Sequence, residues 1–203
     1  MSAAATLVTV LRHGEVAGPA NVLRGRSDDA LSEAGWRQMH AACAMLDALP
    51  DRIISSSLRR CCDFAQQFAA QHALPLTIHD DLREIDFGAW ELLSAEQARA
   101  ASPELFERFH TDPQGVTPPG GEAFDAFRQR ALAAFDECIE QAHGDHLLLI
   151  THAGVMRVLL SGLLNLSWTD AWRIALPPAG SFRLSCLAGH KPYLLNLNAS
   201  CAA

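Results

Sequence analysis

The chain predicts an α/β fold, a three-layer α/β/α sandwich around a mostly parallel central sheet. Two observations carry this. Short apolar runs alternate along the chain with segments whose apolar residues recur every three or four positions. The runs are rich in aliphatic and β-branched residues and end in Gly, Pro or Ser signals, as buried strands covered by helices on both faces do. No repeat or low-complexity linker divides the chain, so the expectation is one domain spanning residues 1–203.

Thr6 to Leu11 reads as the first buried strand and feeds a loop at Arg12-His13-Gly14. Ser32 is a good N-cap, and Met39, Cys43, Leu46 and Leu49 follow at helical spacing until Pro50 closes the segment. Arg52 to Ser55 gives a second strand. Ser57 is placed to cap a helix carrying Leu58, Cys61, Phe64, Ala65 and Phe68, and Pro75 breaks the chain after it. A third strand, Leu76 to His79, precedes Asp80 to Glu91, which is acidic, aromatic and without helical period and reads as a site loop. Ser94 and Ser102-Pro103 each open a short helix, the second with proline where its missing N–H costs nothing. Pro118-Pro119-Gly120-Gly121 is a turn, and Phe124, Phe127, Ala131, Ala134 and Cys138 mark an amphipathic helix. His146 to Thr151 is the clearest buried strand. It exits at His152-Ala153-Gly154 into an apolar helix from Val155 to about Leu164, and Ser181 to Leu187 and Tyr193 to Asn198 close the fold around Ala188-Gly189.

Composition narrows the function. With 203 residues, 49% hydrophobic and 19% charged, the chain can bury a sizeable core. A formal net charge of −7 argues against nucleic acid or an anionic membrane as partner, since both need a basic face, and an anionic substrate must meet a local cationic pocket. No apolar stretch approaches the ~20 residues of a membrane span. Met1 to Leu11 lacks a basic leader and a small-residue cleavage site, so a cytoplasmic location is expected. The six cysteines form no C-x-x-C pair, and four or five of them read as small reduced core residues.

Ligands of open α/β sheets lie beyond the carboxyl ends of the strands, and His13, Ser57 to Arg60 and His152 each follow a predicted strand. Such groups can converge. Guanidinium forks at Arg12 and Arg60 suit the oxygens of a phosphate dianion, and Gly14 permits close backbone approach. A neutral imidazole at His13 is a competent nucleophile, and His152 can donate a hydrogen bond to developing phosphoryl charge. Neither role requires a metal, and no cofactor is expected. A leaving alkoxide needs a proton, for which Glu84 is the candidate if burial raises its pKa.

Together, Arg12-His13-Gly14-Glu15 after a strand, Ser56-Ser57-Leu58-Arg59-Arg60, Leu82-Arg83-Glu84 with Phe87-Gly88-Ala89-Trp90-Glu91, Gly120-Gly121-Glu122 and Ile150-Thr151-His152-Ala153-Gly154 resemble the histidine phosphatase superfamily. The resemblance covers roughly residues 6–165. It implies a phosphoglycerate mutase-like fold, phosphorylation of His13, a phosphoryl group held by Arg12, Arg60 and His152, and proton exchange at Glu84. The α-ribazole phosphatase branch of cobalamin synthesis is resembled in the FGAWE segment, the GGEAFDAFRQR helix and the LLNLN strand. Val16, Pro19, Phe64, Leu92 and Ala123 depart from the usual threonine, asparagine, threonine, glycine and serine. Asn21 or the Arg24-Gly25 loop is expected to substitute in phosphate binding, with Ala153 and Trp90 also at the substrate.

His40, His72, His79, His110, His143, His146 and His190 read as solvated, and Arg59 as the charged side of a helix. Glu15 is equally a helix-start charge. Trp36, Trp168 and Trp172 read as packing residues. No H-x-x-x-H or H-E-x-x-H spacing supports a metal hydrolase. The partner expected is a small-molecule phosphate monoester, with α-ribazole 5'-phosphate first, a broad-specificity phosphatase next and a phosphoglycerate mutase third. A non-catalytic phosphate-binding module is the reading from another class. The sequence carries no signal for an oligomeric state.

Overall fold

The computed structural model describes residues 4–142 and 144–198, so Cys201 and His143 lie outside the described residues. The elements are β1 (Thr6–Arg12), α1 (Glu33–Ala44), β2 (Arg52–Ser56), α2 (Arg59–His72), β3 (Leu76–His79), α3 (Ala95–Ala101), α4 (Pro103–Thr111), α5 (Phe124–Glu140), β4 (His146–Thr151), α6 (Ala153–Leu164), α7 (Trp168–Trp172), β5 (Ser181–Cys186) and β6 (Tyr193–Leu197). The strands form one six-stranded sheet in the order β3-β2-β4-β1-β5-β6. Its β3, β2, β4 and β1 run parallel, and β5 runs antiparallel to both β1 and β6.

Alternation along the central strands divides the core. Val8, Val10, Leu147, Leu149 and Ile54 pack with apolar residues of α3 to α6 on one face. Leu11, Ile53, Leu148 and Ile150 pack with Met39 and Cys43 of α1 and Cys61, Phe64 and Phe68 of α2 on the other. Both faces are therefore apolar, and α/β/α layering follows. The chain leaves β1 toward α1 and leaves the adjacent β4 toward α6, on opposite faces of the sheet. The crevice between those two strand ends is a topological switch point, where ligands of open α/β sheets bind.

Several local expectations are corrected. Helix α1 ends at Ala44 rather than at Pro50. Met45 and Leu46 donate back three residues, to Ala42 and Cys43, and Asp47 meets Arg183 of β5 at 2.6 Å. That bend leaves Leu49 exposed. Ser57 does not cap α2, because its hydroxyl donates to Asp80 at 2.6 Å. The first turn of α2 is instead met from a distant loop by Asp28, whose carboxylate accepts from the Arg59 amide at 2.7 Å. Helix α6 begins at Ala153, two residues before the expected Val155. Helix α7 is unforeseen in the sequence. Leu92 holds φ +61°, a left-handed conformation that explains why glycine is usual there. His110 is half-buried, its ring against Phe106 and Trp172, and His146 hydrogen-bonds Thr9 at 2.9 Å.

Cys43, Cys61, Cys138 and Cys186 are buried free thiols and Cys62 is half-buried. Burial pushes the Cys43 and Cys138 thiols up to about 12, which keeps them protonated and inert. No helix among the described residues is long and apolar enough to cross a membrane.

Because the cap of α2 comes from Asp28, Asp28→Ala is expected to lower the unfolding free energy by about 1 kcal/mol in urea melts. Ser57→Ala should cost less than half of that.

Candidate active site

The crevice between β1 and β4 opens into a cavity of about 600 Å³. Arg12, His13, Glu84, Ala153 and Gly154 line its inner end, and Asn21 and Arg24 reach it from the loop after β1. Phe87, Phe109, Phe127, Trp168 and Trp172 add aromatic rings to its lining, with Arg157 among them. The parallel pairing aligns Arg12 with Thr151, and the His13 amide donates to the Thr151 carbonyl at 2.9 Å. The rings of His13 and His152, 139 residues apart in sequence, are thereby brought to a centroid distance of 5.3 Å.

His13 is 8% exposed, and its Nδ1–H donates to the Gly14 carbonyl at 2.8 Å. That bond selects the tautomer with the lone pair on Nε2, the atom a nucleophile needs. Burial, then Arg60 and Arg12, hold the His13 pKa well below its usual value, so the ring is neutral. His152 is fully buried and is lowered by burial, Arg60 and His13. Its Nδ1 accepts from Arg60 Nε at 3.2 Å, so Nε2 carries the proton and donates to the Ser56 hydroxyl at 2.8 Å.

Glu84 is also buried, and desolvation raises its pKa against the opposing pull of two amide hydrogen bonds. Its carboxylate accepts from the Gly154 amide at 2.8 Å and from the Ile85 amide at 3.1 Å. A Cβ on Gly154 would lie 2.1 Å from Glu84 Oε1, so this contact requires glycine. Gly14 is constrained differently from the expected close approach to ligand. Its missing side chain makes room for the backbone of Gly35, whose oxygen would lie 2.4 Å from a Cβ.

The expected clamps are divided by the fold. Arg12 lines the cavity and anchors one amino group on the Leu176 carbonyl at 2.5 Å. Arg60 does not reach the cavity wall. It is fully buried, with its amino groups on the carbonyls of Ser27 and Gly25 at 2.6 and 2.7 Å. Arg60 and His152 thus stand behind His13 as a charged and hydrogen-bonded support. Arg24 lines the cavity while paired with Asp29 at 2.7 Å, and Asn21 is exposed at the rim.

Two expected substrate residues are corrected. Gly25 is a packing joint, because a Cβ there would lie 2.1 Å from the Ile85 carbonyl. The Glu91 carboxylate gathers the amides of Gly25, Arg26 and Phe87 and fastens that loop. Trp90 is 1% exposed and packs edge-on to Phe106 and Phe109 in the core. Of the four tryptophans, Trp168 and Trp172 line the cavity instead. Glu15 lies at the cavity and hydrogen-bonds Gln38 at 2.7 Å.

Sequence reasoning missed Arg157. Its guanidinium lies over the Trp172 ring at 4.1 Å, its Nε is buried without a partner, and burial lowers it to about 10. The signal was present as a lone charge inside the apolar helix Ala153–Leu164. Among the described residues no group of three or more His, Cys, Asp and Glu side chains could hold a metal ion.

The buried imidazoles make stability depend on pH. Their folded pKa values lie below the unfolded value of ~6.5, so the unfolded chain binds more protons as pH falls. Their contribution is complete above pH ~6.5 and is lost below it, with a slope approaching ~1.4 kcal/mol per pH unit for each ring. Glu84 acts oppositely, since a raised carboxyl pKa favours folding at low pH and loses that contribution as pH rises. Urea melts from pH 7 to 5.5 are expected to show a flatter pH slope in the double variant His13→Asn, His152→Asn than in the wild type.

The family model of the histidine phosphatase superfamily (branch 1) matches residues 8–200. A bifunctional protein of Mycobacterium tuberculosis is 37% identical over 158 residues, 76% of this chain and 43% of that protein, so the chain spans less than half of that relative. The adenosylcobalamin/alpha-ribazole phosphatase of Salmonella typhimurium is 30% identical over 171 residues, covering 80% of this chain and 82% of the relative. Among solved structures, the mycobacterial glucosyl-3-phosphoglycerate phosphatase superposes with a TM-score of 0.81 at 25% identity, over 97% of this chain and all of the other. Matched from the first strand to the last, with the two histidines adjoining in space, the chain belongs to the histidine phosphatase superfamily.

Proposed function

We propose that this protein is a metal-independent phosphomonoesterase that works through a covalent phosphohistidine. The lone pair on His13 Nε2 attacks phosphorus, the bond from phosphorus to the alcohol oxygen breaks, and Glu84 delivers its proton to that oxygen. Water then attacks the phosphohistidine and gives a proton to Glu84. The N–P bond breaks, and inorganic phosphate leaves with His13 restored. The observation that carries this reading is one cavity lined by both a neutral imidazole with a free Nε2 and a buried carboxyl with a raised pKa. Arg12 and Arg24 supply positive charge at the cavity, and Arg60 supplies it from behind the histidines.

The substrate we favour is α-ribazole 5'-phosphate, hydrolysed to α-ribazole and phosphate in the cytoplasm. Similarity to the Salmonella enzyme supports it, as does the aromatic part of the cavity lining, which suits the flat base of the leaving nucleoside. A second reading rests on Arg157, a cation at the cavity with no ion pair or hydrogen bond among the described residues. An unpaired, largely buried guanidinium favours esters whose alcohol carries a carboxylate. Values of kcat/KM for α-ribazole 5'-phosphate, O-phosphoserine and 3-phosphoglycerate separate the two readings.

Turnover of p-nitrophenyl phosphate is expected to persist in excess chelator and to vanish in His13→Ala; wild-type turnover in that variant would refute the mechanism. Glu84→Gln should lower the rate by ~10² to 10⁴. Gly154→Ala, which pushes the Glu84 carboxylate off its amide, should cost roughly 10²-fold in kcat while the fold persists by circular dichroism.

A further inference from the structure

The Gly120-Gly121-Glu122 motif takes no part in the chemistry above, yet it is built into the loop that carries Glu84. Gly121 and Gly88 interlock backbone to backbone. A Cβ on Gly121 would lie 2.4 Å from the Asp86 carbonyl, and one on Gly88 would lie 2.3 Å from the Pro119 carbonyl. The Glu122 amide donates to Asp86 at 2.9 Å, and the Ala89 amide donates to Pro119 at 2.8 Å.

Arg130, two turns into α5, completes the joint. Its Nε and one amino group form a bidentate pair with Glu122 at 2.6 and 2.8 Å. The remaining donors reach the carbonyls of Asp81 at 2.7 Å, Arg83 at 2.8 Å and Glu84 itself at 3.1 Å. The second Glu122 oxygen also accepts from the Asp86 amide at 3.3 Å. One ion pair therefore holds the backbone on both sides of Glu84. Arg130 and Glu122 are each less than a fifth exposed, so the pair is shielded from solvent and from salt. Arg130 does not line the cavity. Its fork matches the carboxylate and carbonyls in a way that a lysine point charge does not.

We infer that Arg130 and Glu122 are positioning residues for proton transfer, fixing the backbone from which the Glu84 carboxyl reaches the leaving oxygen. This rests on the phosphohistidine reading. A displacement of about an ångström at a proton donor is enough to slow a reaction by ~10²-fold. The effect must scale with how much the leaving group needs a proton, whereas a merely structural role would slow all substrates alike.

The test compares phenyl phosphate with p-nitrophenyl phosphate, two esters of similar shape whose alcohols differ greatly in basicity. It uses kcat/KM, which reports the phosphorylation of His13 separately from later hydrolysis. Arg130→Gln is expected to lower kcat/KM at least twentyfold for phenyl phosphate and less than threefold for p-nitrophenyl phosphate. Glu122→Gln should do the same to a smaller extent, and Arg130→Lys should restore little. Equal losses on both esters, or no loss, overturn the inference. If Arg130→Gln fails to fold, Glu122→Gln, which keeps the size of the side chain but turns one acceptor into a donor facing the donors of Arg130 or Asp86, decides by the same ratio of losses. A wild-type protein that hydrolyses neither ester, or hydrolyses both without phosphorylating His13, refutes the phosphatase reading itself rather than the positioning role.

Discussion

The parallel pairing of β1 with β4 is the constraint on which the site depends. Arg12 opposite Thr151 in register puts the residues that follow, His13 and His152, at neighbouring strand ends, and the His13 amide bond to Thr151 closes the ladder there. A one-residue slip would turn each strand's inward residues to the other face. That slip would exchange Val8, Val10, Leu147 and Leu149 with the residues packed against α1 and α2, so the close packing of two differently shaped layers favours the register that sets His13 beside His152.

Burial then sets the protonation states. A phosphate dianion is attracted by cations, but a nucleophilic imidazole must remain neutral among them. Desolvation and the nearby guanidinium groups act in the same direction on His13, whereas on Glu84 desolvation outweighs its two amide hydrogen bonds. The result is a neutral ring, protonated on Nδ1 alone, and a carboxyl inclined to keep its proton, in one cavity. The chain's overall charge of −7 does not extend to the cavity, whose lining includes Arg12, Arg24 and Arg157.

The support behind the cavity is as specific as its lining. Arg60 satisfies carbonyls of the Arg24 to Ser27 loop while bonding His152, and Glu91 gathers the amides of the same loop and of Phe87. Arg130 and Glu122 do the equivalent for the loop bearing Glu84. Loops of irregular backbone expose many polar groups, and buried side chains that pair with those groups give the loops a single geometry.

Much of this was legible in the sequence, and for local reasons. Apolar periodicity identifies the buried central strands and the long helices, since it records which face is buried; turn signals bound the exposed β3 and β6, and the strand exits at His13 and His152 mark where ligands gather. The end of α1, the source of the α2 cap, the inward burial of Trp90 and the role of Gly25 were not legible. Each depends on a partner remote along the chain: Asp47 on Arg183, Arg59 on Asp28, Trp90 on Phe106 and Phe109, Gly25 on the Ile85 carbonyl. The same holds for Arg60, whose residue type suits a phosphate clamp but whose fork is occupied by carbonyls some 35 residues away. Sequence by itself determined the layers, the strand ends and the reactive residue types, because these follow from local pattern and intrinsic chemistry. Only the tertiary structure decided which groups face the cavity and which stand behind it, because facing is a property of distances between segments that no local pattern encodes.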